Sequence, residues 1–106
     1  MSPLFSVVIP CFNEAATIID LLERVRSAPV ASKQIIVVDD GSTDGTREIL
    51  QGLRADDLTV LLHERNCGKG AALATGFAAA RGEDLLDVFP DAIARLPFSE
   101  IDQWSD

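Results

Sequence analysis

Two neighbouring carboxylates stand where an apolar segment ends. Asp39 and Asp40 follow the apolar run 35–38 and precede a turn rich in Gly, Ser and Thr. A run this rich in β-branched residues is typical of a buried strand, and ligands of open α/β sheets bind at the carboxyl ends of parallel strands. Burying two adjacent acids costs desolvation or repulsion energy that a turn alone does not require. We therefore expect one acid to face a ligand, with plain turn chemistry as the alternative.

Other residues that could contact a ligand follow the first apolar run. Asn13 and Glu14 suit a helix start, where an Asn cap and an acid satisfy free N–H groups, and a ligand contact is an equal alternative for Glu14. Pro10 and Phe12 form a flat apolar patch on which a base ring could stack, whereas the alternative for Phe12 is ordinary core packing.

A third segment, residues 66–70, places the cation Lys69 at the start of a helix. Cations are disfavoured at a helix N-terminus, so a nearby anion would stabilise Lys69 there. The segment is not a Walker loop, because Gly70 fills the position of the required Ser or Thr and the first glycine of the motif is missing. The dinucleotide-binding pattern also fails, since Leu73 stands at its third glycine position.

Alternating periodicities predict the elements that position these segments. The patterns indicate strands at 5–9, 34–38 and 58–62, and helices that begin near residues 14, 46 and 68. Ser42, Thr43 and Asp44 are interpreted mainly as caps of the second helix, and the small residues of the third helix should let it lie close to a sheet, anchored by Leu73 and Phe77. Successive βα units predict a Rossmann-like α/β fold with a mainly parallel sheet and helices on both faces. After residue 82, a short strand and a helical face broken by Pro90 both fit the pattern.

Composition limits the function classes. The chain has 106 residues, the size of one domain, and its 9 basic and 17 acidic residues give a net charge of −8, which argues against a nucleic-acid-binding surface. No metal-ligand spacing connects His63 with Cys11 and Cys67. We therefore expect reduced thiols in the cytoplasm and interpret His63 as a surface or strand-end residue. The apolar stretches are too short to span a bilayer, and no leader pattern is present.

Three motifs together resemble the family 2 glycosyltransferases, with most similarity to the dolichyl- or undecaprenyl-phosphate sugar transferases. They are VVIPCFNE at 7–14, VVDDGSTDGT at 37–46 and NCGKGAA at 66–72, and the resemblance covers residues 5–82. Each motif alone is modest, but the three in this order and spacing are highly specific.

The resemblance implies a GT-A fold whose first strands hold a nucleoside diphosphate sugar of the UDP or GDP type. Members transfer the sugar to an acceptor, for which the resemblance makes a polyprenyl phosphate a candidate, with Mg²⁺ or Mn²⁺ on the diphosphate. By position, Pro10, Phe12 and Glu14 would line the base and ribose pocket, Val38 and Asp40 would read the base edge, and Lys69 would lie near the diphosphate or base.

The sequence departs from the family after Gly82, where the family continues with a strand ending in Asp-x-Asp and an acceptor-binding half. The nearest match is Asp91, displaced by two residues, with Ile93 in place of the second acid. We therefore divide the chain into nucleotide-sugar-binding βα units at 1–82 and a divergent tail at 83–106, and expect a truncated domain with little transfer activity. The alternatives are a noncatalytic remnant or a module that forms homodimers through an uncovered sheet edge, and, more remotely, a receiver-like regulatory domain.

Overall fold

Strands and helices alternate along the chain in the computed structural model, which describes residues 5–27, 33–53, 55–81 and 84–87. The elements are β1 (Phe5–Cys11), α1 (Ile18–Ser27), β2 (Lys33–Asp40), α2 (Thr46–Gln51), β3 (Leu58–His63), α3 (Lys69–Ala79) and β4 (Asp84–Asp87). All strand pairs are parallel, and the strand order is β3-β2-β1-β4. The predicted parallel α/β architecture is confirmed.

The central strands bury both faces, because neighbouring side chains alternate across the sheet. Val7 and Ile9 of β1 share one apolar cluster with α1 and α2, whereas Val8 shares the opposite cluster with Ala72 of α3. The same alternation operates in β2, where Ile35 and Val37 face the first cluster. The prediction of helices on both faces is therefore confirmed.

Helix α3 approaches the sheet closely through its small residues, as predicted. Ala72 is fully buried, and a Cβ atom at Gly76 would lie 2.3 Å from Cγ1 of Val8. Leu73 packs against the same cluster, but Phe77 is 37 % exposed, so its prediction as an anchor was wrong. The close contact at Gly76 leaves no room for a larger anchor at the centre of the interface.

Several boundaries differ from the sequence-based prediction. β1 continues through Pro10 to Cys11. The described part of β4 pairs only with residues 5–8 of β1, so it does not pair with Pro10. A residue without an N–H is tolerated where a strand has a neighbour on one side only. β2 likewise includes both Asp39 and Asp40, so the two acids are the last residues of a strand and not part of the turn.

Beyond the third helix, residues 84–87 form β4 beside β1, so the strand interpretation of this segment is confirmed. The later residues, including Asp91, lie outside the described residues. None of the helices in the described ranges is long and apolar enough to cross a bilayer.

The strand order reverses between β1 and β4, and crevices at such reversals commonly bind ligands in open α/β sheets.

Candidate functional site

Three loops leave the carboxyl ends of neighbouring strands at the same edge of the sheet. They are the β1–α1 loop (residues 12–17), the β2–α2 loop (41–45) and the β3–α3 loop (64–68). Because the strands are parallel, the chain enters each of these loops on the same side of the sheet. Hydrogen bonds and one close backbone contact connect the loops to one another.

The first connection joins the β1–α1 and β2–α2 loops through Asn13. Its backbone N–H donates to Oγ of Ser42 over 2.8 Å, and its side-chain Oδ1 accepts from the N–H of Thr43 over 2.8 Å. Asn13 has a φ of 55°, a left-handed conformation that Asn tolerates better than most residues. Asn13 and Ser42 therefore hold two loops together, whereas the sequence pattern predicted that both would cap helices.

A second pair of contacts joins the same loops further along. Thr46 Oγ1 accepts from the N–H of Glu14 over 2.9 Å and donates to Asp44, whose Oδ2 accepts from the N–H of Ala15 over 3.1 Å. The hydrogen bond from Thr46 lowers the pKa of Asp44 more than the opposing desolvation raises it. The cap position of α2 is Gly45, which has no side chain to accept a hydrogen bond, but Oδ1 of Asp44 accepts from the N–H of Thr46, the first residue of α2, over 3.1 Å, as the predicted cap role of Asp44 requires.

Asp40 connects the β2–α2 and β3–α3 loops. Its Oδ1 lies 2.8 Å from Nδ1 of His63 and accepts from the N–H of Cys67 over 2.9 Å, while its Oδ2 accepts from the N–H of Gly68 over 2.9 Å. Burial acts to raise the pKa of Asp40, but the hydrogen bonds from His63, Cys67 and Gly68 outweigh it and lower that pKa below its usual value. The carboxylate is thus held in its charged form in a fixed orientation.

His63 is the residue that sequence analysis missed. Its second ring nitrogen, Nε2, lies 2.9 Å from Oγ1 of Thr75, whose hydroxyl also contacts the carbonyl oxygen of Ala71. The imidazole therefore bridges Asp40 and α3, which the interpretation as a strand-end histidine did not anticipate. His63 and Asp40 are 23 positions apart, and only the pairing of the last residues of β2 and β3 brings them together.

Gly41 lets the β2–α2 and β3–α3 loops touch. A Cβ atom at Gly41 would lie 2.5 Å from the carbonyl carbon of Arg65 and 2.5 Å from the backbone nitrogen of Asn66. Gly41 also has a φ of +78°, which favours glycine. Together with the hydrogen bonds above, this contact brings all three motif segments to one place.

Asp39 points to the opposite face from Asp40 and has different partners. It is fully buried, its Oδ2 accepts from the N–H of Ser42 over 3.3 Å and lies 3.4 Å from Nε of Arg47, and its Oδ1 has no partner among the described residues. Burial, followed by the charges of Asp39 and nearby acids, raises the pKa of Cys11 to about 12. Cys11 is therefore a neutral core thiol.

The other predicted ligand-contacting residues differ in how accessible their side chains are. Phe12 is 45 % exposed and Lys69, the first residue of α3, is also exposed, so both are accessible at the loop edge. Pro10 and Val38 are buried and pair in register on β1 and β2, so Pro10 does not add to an exposed patch. Glu14 is half-buried, and its Oε2 accepts a hydrogen bond from Thr17.

Asp39 and Asp40 do not suit a hard cation such as Mg²⁺. Magnesium requires several oxygen ligands in a near-octahedral arrangement. The described partners of Asp40 are a ring nitrogen and two backbone N–H groups, not further oxygen ligands, and Asp39 is fully buried beside Arg47. The candidate from the sequence, Asp91, lies outside the described residues, and we derive no reaction step through such a cation.

Comparison with known proteins agrees with this arrangement. Residues 6–92 match the family described as Glycosyl transferase family 2. The chain belongs to this family. The match includes all three loops, and the GT-A-like α/β fold predicted from the motifs is confirmed.

Two curated relatives illustrate the similarity. The undecaprenyl-phosphate 4-deoxy-4-formamido-L-arabinose transferase of Aeromonas hydrophila is 38% identical over 104 residues, which cover 92% of this chain and 31% of the relative. Glycosyltransferase GlyG of Streptococcus pneumoniae is 38% identical over 98 residues, 90% of this chain and 32% of the relative. The chain thus spans about a third of the length of these relatives.

Solved structures include similar folds with bound nucleotide sugars. The mannosyltransferase PcManGT of Pyrobaculum calidifontis, in complex with GDP-Man and Mn²⁺, has a TM-score of 0.75 and 30% identity, covering 86% of this chain and 28% of that one. S. aureus TarS 1-349 in complex with UDP-GlcNAc has a TM-score of 0.72 and 34% identity, covering 82% and 26%.

Proposed function

We propose that the three-loop edge binds the nucleoside diphosphate part of a nucleotide sugar, of the UDP or GDP type, as the donor-binding part of a glycosyltransferase. The observation that carries this proposal is that the three motif loops contact one another at one edge of the sheet, where Asp40 joins the end of β2 to the β3–α3 loop. Two of the similar structures hold GDP-Man and UDP-GlcNAc, which supports this class of ligand.

Asp40 suits the recognition of a base edge because its position is fixed and its acceptor capacity is not exhausted. An ionised carboxylate offers about four acceptor positions. Three are used by His63, Cys67 and Gly68, which leaves one for an N–H group of a base. The exposed ring of Phe12 stacks on the base, while Val38 and Pro10 are buried in the sheet and support this edge from within.

Lys69 and the start of α3 suit the diphosphate. The first turn of α3 contains no acidic residue, and the free N–H groups of a helix N-terminus attract anions. A diphosphate beside Lys69 would offset the unfavourable placement of this cation at the positive end of the helix dipole. Local attraction of this kind is needed, because the whole chain carries a net charge of −8.

For the acceptor, we propose a polyprenyl phosphate, supported by the names of relatives that act on undecaprenyl phosphate. The two cysteines are free thiols, which supports a reducing, cytoplasmic setting. We further propose that the 106-residue polypeptide by itself transfers little sugar, because it spans about a third of these relatives and offers Ile93 where the family has a second acid.

Calorimetry with UDP and GDP tests the binding proposal. Phe12→Ala and Lys69→Ala should each weaken binding by about tenfold, corresponding to the loss of one stacking or charge-assisted contact of about 1.4 kcal/mol. Asp40→Ala should abolish measurable binding, since it removes both the base contact and the acceptor that orders the β3–α3 loop.

Matched controls separate contact from folding. Ile19→Ala removes a comparably exposed apolar side chain from α1, and Arg81→Ala removes a cation beyond the far end of α3. Both controls should bind like the unsubstituted chain. If UDP and GDP both fail to bind, or if Phe12→Ala and Lys69→Ala bind as well as their controls, the proposed ligand is wrong.

A dimerising module is the second candidate, and an apolar groove favours it. The groove lies beside β3, which is an edge strand in the described sheet, and has Leu50, Leu53, Leu58, Val60 and Leu62 in its lining. Apolar surface beside an uncovered sheet edge is typical of protein contacts. Light scattering discriminates between the candidates, because a strictly monomeric chain that binds nucleotide contradicts the module.

A further inference from the structure

Three potential metal ligands converge at the junction of the β2, β3 and α3 ends. One carboxylate oxygen of Asp40, one ring nitrogen of His63 and Sγ of Cys67 all lie within 4.8 Å of one another. Asp40 and His63 end neighbouring strands, and Cys67 lies in the loop that follows β3. Carboxylate, imidazole and thiolate together are a ligand set typical of Zn²⁺ and similar cations, whereas Mg²⁺ prefers oxygen alone.

The surroundings of these side chains resemble the support that metal ligands require. The ring nitrogen of His63 that does not face Asp40 lies 2.9 Å from Oγ1 of Thr75, and the carboxylate of Asp40 accepts from the N–H of Gly68. Hydrogen-bond partners of this kind orient metal ligands and strengthen metal binding. Two of the three ligands are therefore already held in place by the fold.

Only a small rearrangement is needed for coordination. Bond lengths of about 2.0–2.3 Å in a tetrahedral site place ligand atoms about 3.3–3.8 Å apart. The side chain of Cys67 is exposed and can approach by about 1 Å, while the contact of 2.8 Å between Asp40 and His63 opens to admit the ion. The thiol of Cys67 releases its proton on binding, and water completes the fourth position.

We propose that Asp40, His63 and Cys67 form a binding site for a Zn²⁺-type divalent cation. This site differs from any cation on the sugar donor diphosphate, because it uses sulfur and nitrogen and takes one of its ligands from the β3–α3 loop. Cys67 is its most distinctive ligand, since its side chain has no role in the proposed nucleotide contacts.

Cobalt spectroscopy tests the site without reference to enzyme activity. Co²⁺ added to the 106-residue chain should produce a thiolate-to-metal charge-transfer band, and Zn²⁺ should displace it. Cys67→Ser should abolish the band while keeping the backbone N–H that Asp40 uses. His63→Gln should weaken Co²⁺ binding more than about tenfold, because one ligand and its supporting contact with Thr75 are lost.

Cys11→Ala is the matched control, since it removes the other thiol, which is buried in the core. It should keep the band, and circular dichroism checks that each variant remains folded. The proposal is overturned if the unsubstituted chain gives no band, if Cys67→Ser retains it, or if only Cys11→Ala removes it.

Metal occupation should also affect nucleotide binding, a consequence that rests on the proposed function. Zn²⁺ between Asp40 and His63 replaces one of the contacts that orient the carboxylate and places positive charge beside the base N–H, so UDP or GDP affinity should fall in the presence of Zn²⁺ and recover in Cys67→Ser. If nucleotide never binds but the cobalt band follows the expected pattern, the nucleotide proposal fails and the metal site stands.

Discussion

Substitution of Gly41 by alanine tests whether the β2–α2 and β3–α3 loops form one site. The new Cβ would lie 2.5 Å from two backbone atoms of Arg65 and Asn66, which cannot rotate away as a flexible side chain would. The β3–α3 loop must therefore move, and the hydrogen bond from Cys67 to Asp40 should be distorted. We expect both lower stability and weaker nucleotide binding.

The magnitude has two parts. Alanine in a left-handed conformation costs about 1–2 kcal/mol, and the steric conflict with the neighbouring loop adds about 1–3 kcal/mol. Gly45→Ala separates these parts, because Gly45 has a φ of +101° but a Cβ there would meet nothing within 4 Å. Gly41→Ala should therefore lower the free energy of unfolding by about 2–5 kcal/mol and Gly45→Ala by about 1–2 kcal/mol.

Urea denaturation of the two variants measures this difference, and calorimetry with UDP or GDP measures its effect on the site. Only Gly41→Ala should lose more stability than backbone strain explains, and it should lose more nucleotide affinity than Gly45→Ala. Equal losses of stability, within about 0.5 kcal/mol, would refute the close contact between the loops.

Three further predictions concern single residues. The pKa of Asp40 is lowered in the folded chain, so the stabilising effect of its carboxylate is complete above about pH 4 and is lost as the pH falls through the folded-state pKa. Asp40→Asn should therefore have a lower free energy of unfolding at pH 7. Urea titrations at pH 7 and pH 3 should show that this free energy changes less with pH in the variant than in the unsubstituted chain. Iodoacetamide at pH 8 should modify exposed Cys67 in the native chain but spare buried Cys11, whose pKa is about 12. Mass spectrometry of the peptides measures the labelling of each thiol, and equal labelling of the two would contradict this expectation. Gly76→Ala should destabilise by about 1–3 kcal/mol in urea despite the better helix propensity of alanine, because its Cβ would lie 2.3 Å from Val8; a gain in stability would disprove the close packing of α3.

The sequence predicted the fold well because its strongest signals are local and periodic. The apolar runs of β1 and β2 and the helical stripe of α1 depend only on neighbouring residues, and the structure has these elements close to their predicted positions. Phe77 was wrongly taken as an anchor, because burial of α3 depends on how closely Gly76 approaches β1. Helical spacing alone carries no information about that distance.

The site was predicted less completely because its contacts join residues far apart in the chain. The expected position of Asp40 at a strand end is correct, but its partners His63, Cys67 and Gly68 are 23 to 28 positions away. Likewise, Asn13 was read as a helix cap because its neighbours permit that role, whereas it contacts Ser42 across the loop edge. Such contacts follow from the order of the strands, which local patterns do not encode.

The pleat of β2 explains how two adjacent acids serve different purposes. Ile35 and Val37 face the cluster under α1 and α2, so Asp39 continues on that side, where it meets Arg47 at the start of α2. Asp40 continues the opposite face, toward α3, and meets the N–H of Gly68 there. One acid thus fixes the turn after β2 and the other fixes the loop after β3. Because a shift of register by one residue would exchange these roles, the pairing of β2 with its neighbours determines which carboxylate is available to a ligand.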